Sequence, residues 1–150
     1  MKYWIMKSEP DTFSIDDLEK TKTQFWDGVR NYRVRNMFRD EMKVGDRAFF
    51  YHSSCKEIGI AGEMEVIKSA EIDPTQFDPK SDYYDPGAKK DTPRWMGPTV
   101  KFVKKFKRIL TLGEIKRNPS LQKLAINEKG NRLSVTEITK PEYLKLKKLI

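Results

Sequence analysis

The sequence predicts a single α+β domain built on a curled mixed sheet or small barrel, and three observations carry that reading. At 150 residues the chain has the length of one domain with room for a real core. Strand-like and helix-like stretches are interspersed without the regular strand–helix–strand rhythm of a parallel α/β fold. Only 37% of residues are hydrophobic and 35% are charged, yet three Trp, six Tyr and eight Phe supply bulky packing material, so the chain reads as folded rather than disordered.

Tyr3-Trp4-Ile5-Met6 is apolar at successive positions. It therefore reads as a central strand covered on both faces, ending at Ser8-Glu9-Pro10. Ser14 followed by Asp17 has the spacing of a capping box, which opens a short helix from Ile15 to about Lys20. Asn31 is placed to cap a helix whose apolar positions are Val34, Met37 and Phe38, ending near Gly45. Arg47 to His52 is a second strand. Ile58 to Ile72 is a third, with Gly59 and Gly62 marking a bend or bulge. Asp73 to Pro98 is rich in proline and poor in periodicity, and loops of that length in compact domains tend to be functional or disordered. Val100 to Ile109 is another strand, with short helical segments at Gly113 to Arg117 and Ser120 to Leu124. Thr139 and Glu142, with Pro141 in the first turn, start a C-terminal amphipathic helix through Tyr143, Leu144 and Leu146.

The formal charge of +8 favours a polyanionic partner, and its distribution says more than its size. Residues 1–100 carry 16 Lys/Arg against 18 Asp/Glu, whereas residues 101–150 carry 14 against 4. A solubilising Lys-rich surface and a nucleic-acid surface are both compatible with that tail. The cluster Arg30, Arg33, Arg35 and Arg39 is of another kind, because a guanidinium suits bidentate phosphate contacts. No apolar run approaches the roughly 20 residues that cross a bilayer, and the start lacks a signal-peptide core. With one cysteine, Cys55, no internal disulfide is available, so an intracellular protein is expected.

Several chemistries find no residues to carry them. One His and one Cys, His52 and Cys55, do not make a zinc site. As nucleophile and base, the same pair is awkwardly placed at a strand end. Gly59 and Gly62 lie within a strand-like run rather than a phosphate loop. No metal, cofactor or catalytic group is expected.

Four segments mix aromatics with small polar groups where elements end: Lys7-Ser8-Glu9-Pro10, Trp26 to Tyr32, Tyr51-His52-Ser53-Ser54, and Arg94-Trp95-Met96-Gly97-Pro98. A base-binding pocket needs flat walls for stacking and polar groups at its rim. Trp26 and Trp95 are candidate walls. Ser8, Glu9, Asp27, Asn31, Tyr51, His52 and Ser53 are candidate rim or edge-reading groups. Arg30, Arg33, Arg35 and Lys56 are candidate phosphate contacts. Each has a structural alternative: a Trp as core, Asn31 as a helix cap, the arginines as the wet face of a helix, and one of Phe50 and Tyr51 necessarily inside.

Lys2 to Pro10, Trp26 to Tyr32 with Arg35-Asn36 after it, and Phe50 to Ser53 together resemble an EVE domain over nearly the whole chain. EVE domains fall in the PUA-like group with the YTH domains that read a methylated adenine in RNA. The resemblance implies a curled pseudo-barrel sheet with peripheral helices and a pocket for an extruded modified base, most directly a modified cytosine in DNA. It aligns Trp26 and Trp95 with the two cage tryptophans of YTH domains, and Ser8 and Glu9 with the segment lining the pocket. Asp27 stands where YTH domains have a small polar residue. An ionised Asp only accepts, and cytosine offers an exocyclic amine, so that pairing is complementary. The chain lacks the long basic N-terminal extension of the nuclear animal proteins, which leads us to expect a cytoplasmic form. The rival expectations are a reader of modified RNA, an enzyme acting on a modified nucleoside, and a protein-interaction module. The reader hypothesis needs a nucleic-acid partner, no membrane and no obligate protein partner.

Overall fold

In the computed structural model, which describes residues 1–150, six strands form one curled, open sheet in the order β2-β5-β4-β3-β1-β6. β1 (Tyr3–Ser8) and β3 (Arg47–His52) run parallel at its centre, and every other pairing is antiparallel. The sheet curls without closing, so it keeps free edges at β2 (Thr23–Phe25) and β6 (Val135–Ile138).

The central strands are apolar on both faces because both faces are covered. Trp4, Met6, Ala48 and Phe50 point into one core, against α1 (Ile15–Thr21) and α2 (Tyr32–Asp40). Ile5, Phe49 and Tyr51 point into the other, against α3 (Leu112–Arg117), the turns after it and α4 (Lys140–Lys148). The period-two alternation of a strand makes this partition. Two buried acids are fully paired, as burial of charge requires. Asp46 accepts from the Trp4 indole and from the Lys2 and Lys43 backbone amides, each at 3.0 Å. Glu63 accepts from the Tyr143 hydroxyl and from Lys147 at 2.7 Å, which fastens α4 to the sheet.

Local signals placed most elements well. The capping boxes at Ser14/Asp17 and Thr139/Glu142 both form. Asn31 caps α2, accepting from the Val34 amide at 3.1 Å. The helix stops at Asp40, short of Gly45, whose φ of +96° instead serves the turn into β3. β4 (Gly59–Ile72) carries the irregularities expected of its glycines. β5 is longer than its periodicity suggests, spanning Met96–Thr111. Pro98 sits inside it because the β4–β5 register slips between Lys68 and Glu71, which are opposite Thr99 and Gly97, so no ladder donor is lacking there. β2 and β6, three and four residues long, went unseen in the sequence because neither is long enough to show alternation.

Candidate nucleic-acid interface

A cavity of about 520 Å³ opens where β1 and β3 end, within the size range of small-molecule sites. Its walls come from the turn after β1, the segment after β2, the turn after β3 and the long loop. Of the sequence candidates, Ser8, Glu9, Trp26, Asp27, Arg30, Asn31 and Ser53 line it.

Trp26 is 7% exposed and packs edge-on against Phe50, with ring centres 5.6 Å apart. It is thus core on one side and cavity wall on the other. Its backbone is held by the bond from its amide to Pro98 O at 2.8 Å. β5 passes so close beneath it that a Cβ on Gly97 would stand 2.1 Å from the Trp26 carbonyl oxygen. Asn31 lines the cavity, spends its carbonyl on the α2 cap and makes no bond through its amide nitrogen within the protein. Ser8 donates its hydroxyl to Phe13 O at 2.7 Å, which orders the turn after β1. Glu9 and Asp27 both line the cavity. Partial desolvation by the walls, and then the nearby Asp73 charge, raise the Asp27 carboxyl above its ordinary range.

Behind the cavity, Asp73 organises the long loop. Its carboxylate accepts from the Gly28 amide at 2.8 Å, Arg30 at 3.1 Å, and the Thr75 amide and hydroxyl at 2.9 and 2.6 Å. Burial works to raise this carboxyl, but the donors from Thr75, Gly28 and Arg30 outweigh it and leave it below the usual range. The fully buried Gln76 carboxamide then ties the loop's two ends together, donating to Asp73 O and Trp95 O and accepting from the Arg94 and Trp95 amides. This network delivers Tyr83 to the cavity, where its ring lies against Gly28. Gly28 has φ +81°, and a Cβ there would stand 2.6 Å from the ring, so glycine is needed for both conformation and contact.

Six candidates do not line the cavity, and Arg30, which does, is engaged within the protein. Trp95 is 5% exposed and lies outside the cavity. Its indole N–H donates to Asp85 at 2.8 Å, and its ring packs against Tyr32 and under the Arg30 guanidinium. It anchors the loop, and the loop's aromatic at the cavity is Tyr83. Arg30 is spent within the protein, its Nε, Nη1 and Nη2 donating to Tyr83 O, Val29 O, Asp73 and Thr75. Arg35 is likewise engaged, by Asn36 and by Arg94 O. His52 accepts the Ile15 amide at 3.1 Å, serving the start of α1, and burial lowers its pKa so that it stays a neutral acceptor. Tyr51 is buried in the opposite core under the Lys7 ammonium, and burial pushes its hydroxyl up to about 12. Arg33 and Lys56 remain exposed.

The sequence reading missed Tyr83, Asp73 and Gln76. The Asp73-Pro74-Thr75 run is a recognisable start to a short 3₁₀ turn, and the structure forms one over Pro74–Phe77. Nothing local marks Tyr83 over the adjacent Tyr84, which is exposed.

A curled mixed sheet whose parallel central strands end at one aromatic and polar cavity defines the class as PUA-like. The YTH domain of Mmi1 shares this fold at a TM-score of 0.54, with 13% identity over 99% of this chain and 86% of that one. The chain belongs to the EVE domain family, whose model matches residues 2–149. Human thymocyte nuclear protein 1 is 42% identical over 94% of this chain and 70% of its own length, and the Danio rerio protein 44% over 93% and 68%. A crystal structure of a Pseudomonas syringae protein superposes with a TM-score of 0.95 at 46% identity, covering 98% of both chains. Human THYN1, crystallised in complex with DNA containing 5-methylcytosine, superposes with a TM-score of 0.93 at 40% identity over 99% of this chain and 97% of that one. The relatives' name describes nuclear proteins, so it lends no support to the expected cytoplasmic location. No helix is long and apolar enough to cross a membrane.

Proposed function

We propose that this chain is a non-catalytic DNA reader that receives one flipped, 5-modified cytosine in the cavity at the ends of β1 and β3. The observation that carries the reading is the likeness to human THYN1 bound to 5-methylcytosine DNA, taken with a cavity here that offers an aromatic wall and free acceptors. Trp26 and Tyr83 are the stacking surfaces in this reading. Asp27 accepts from the exocyclic amine, Glu9, Asn31 and Ser53 complete the rim, and Arg33 and Lys56 are free to meet phosphates. Extrusion costs a few kcal/mol. Stacking returns ~1–3 kcal/mol per base, and the basic surface adds salt-dependent affinity.

The test is a titration of three duplexes, alike except for one cytosine, 5-methylcytosine or 5-hydroxymethylcytosine. One buried methyl is worth ~0.8 kcal/mol, or about fourfold. A hydroxymethyl group that finds a partner adds ~0.5–1.5 kcal/mol. The expected result is a modest preference for the methylated over the plain duplex, with hydroxymethyl equal or better. A preference above about a hundredfold cannot come from burying one carbon. It would require active exclusion of the plain base. Tighter binding of a modified RNA strand would overturn the DNA assignment, and conversion of any modified nucleoside to product would overturn the non-catalytic one.

Asp27 makes the reading pH-dependent. Only the ionised carboxylate accepts from the amine without a donor of its own, so affinity is expected to fall as pH drops through its raised pKa. Asp27→Asn should flatten that profile. Because folding raises this pKa, the charged form works against stability, and that cost appears as pH rises from below the unfolded value through the folded one. Asp27→Asn should therefore melt higher than the parent at neutral pH and the same in acid. An unchanged binding profile in Asp27→Asn would remove Asp27 from the recognised edge.

A further inference from the structure

A second, larger cavity adjoins the first, and the two share Asn31 and Arg132 as lining residues. It lies between α2 and the segment leading into β6, and Arg33 and Asn36 also line it. Of the chain's nine arginines, only Arg33, Arg117 and Arg132 make no hydrogen bond or ion pair within the protein. Two of these three stand at the paired cavities. The acids there are balanced in part, since Glu41 and Glu137 both pair with Lys2 and Glu128 has Lys129 beside it. The wall also holds Thr136, whose buried hydroxyl has no partner.

We infer that Arg132, with Arg33, clamps the phosphodiester flanking the flipped nucleotide at the divide between the two cavities, and that the second cavity carries the onward strand. This rests on the base-pocket reading. A guanidinium fork matches two phosphate oxygens at once, and these two forks are the free ones among the arginines lining the paired cavities, Arg132 on both and Arg33 on the second. Asn31 lines both cavities and its amide N–H groups make no bond within the protein, so it offers a neutral contact to the same group. Lining both cavities gives Arg132 a reach to the strand as it leaves the base, a position that Arg30 and Arg35, spent on the loop, do not have.

The test pairs protein variants with a neutralised backbone. A duplex carrying one 5-methylcytosine is prepared with its flanking phosphates intact, or with a methylphosphonate on the 5′ or the 3′ side. It is titrated against the parent, Arg132→Ala, Arg132→Lys, Arg33→Ala and the remote Arg117→Ala. Arg132→Ala is expected to weaken binding about tenfold and to reduce the salt slope by about 1. Arg132→Lys should recover part of the loss, and Arg117→Ala should change little. One of the two methylphosphonates should weaken the parent by a similar factor and add nothing further in Arg132→Ala. Losses that multiply at both flanks would overturn the clamp while leaving the base pocket standing. A parent protein without preference for the methylated duplex, but with non-additive losses, would overturn the pocket reading and keep the phosphate contact. No binding of any duplex would overturn both.

Discussion

Trp26→Ala is expected to destabilise the domain by about 3–5 kcal/mol, the range for truncating a buried aromatic, and so to lower its melting temperature by roughly 10 °C. Were Trp26 only a platform on the surface, its loss would spare the fold. At 7% exposure, with its ring against Phe50 and its amide bonded to Pro98 O, it serves the core and the cavity together. Binding and folding must therefore be separated by a second variant. Trp26→Phe retains an aromatic against Phe50 with less area for stacking. It is expected to stay folded and to lose part of the ~1–3 kcal/mol that one base gains on an aromatic face. Calorimetry of both variants and a titration with the methylated duplex check this. A Trp26→Ala protein melting within about 1 kcal/mol of the parent would show that Phe50 and the adjoining core hold without it.

Asp73→Ala is expected to cost about 3 kcal/mol, because it strands the Arg30 guanidinium and the Gly28 amide behind the cavity. The loss should be local in its first consequence. Amides from Gly28 to Arg30 and from Thr75 to Trp95 should exchange faster, while those of β1 and β3 keep their protection. Affinity for the methylated duplex should drop with it, since Gly28, Tyr83 and Asp27 all take their positions from this network. The pH dependence has the opposite sign to that of Asp27. Folding depresses the Asp73 pKa, so the carboxylate stabilises the domain above its unfolded value, and that contribution is lost as pH falls through the folded one. In Asp73→Ala the stability curve should accordingly be flatter in acid than in the parent. Slow, parent-like exchange in the loop would show that Gln76 holds the segment alone.

The two variants also show why some of the site was legible in the sequence and some was not. Trp26 and Asn31 could be read because their neighbours declare them: a Trp-Asp-Gly turn, then a cap three residues before an apolar helix position. The likeness to EVE domains rested on the Trp26 to Tyr32 run with Arg35-Asn36, together with Lys2 to Pro10 and Phe50 to Ser53. Arg30, Arg33 and Arg35 are indistinguishable in a one-dimensional pattern. What separates them is Asp73 and Thr75 for Arg30, and Asn36 and Arg94 O for Arg35, leaving Arg33 with nothing. Trp95, expected as a wall, lies outside the cavity for the same reason, since Asp85 and Tyr32 claim its ring.

By itself, the sequence determined the central strands, the capped helices and the α+β class. Those depend on side-chain alternation, on capping within three residues and on the burial of aromatic surface, all of which act along short stretches of chain. Only the tertiary structure decided that the sheet curls open, that β2 and β6 complete its edges, and which aromatic and which arginines reach the cavity. Those outcomes depend on partners far apart in sequence, such as Gly28 with Asp73, Gly97 with the Trp26 carbonyl, and Gln76 with the Arg94 amide. A buried donor or acceptor must be satisfied by whichever group the fold brings within reach, and no local pattern records which group that is.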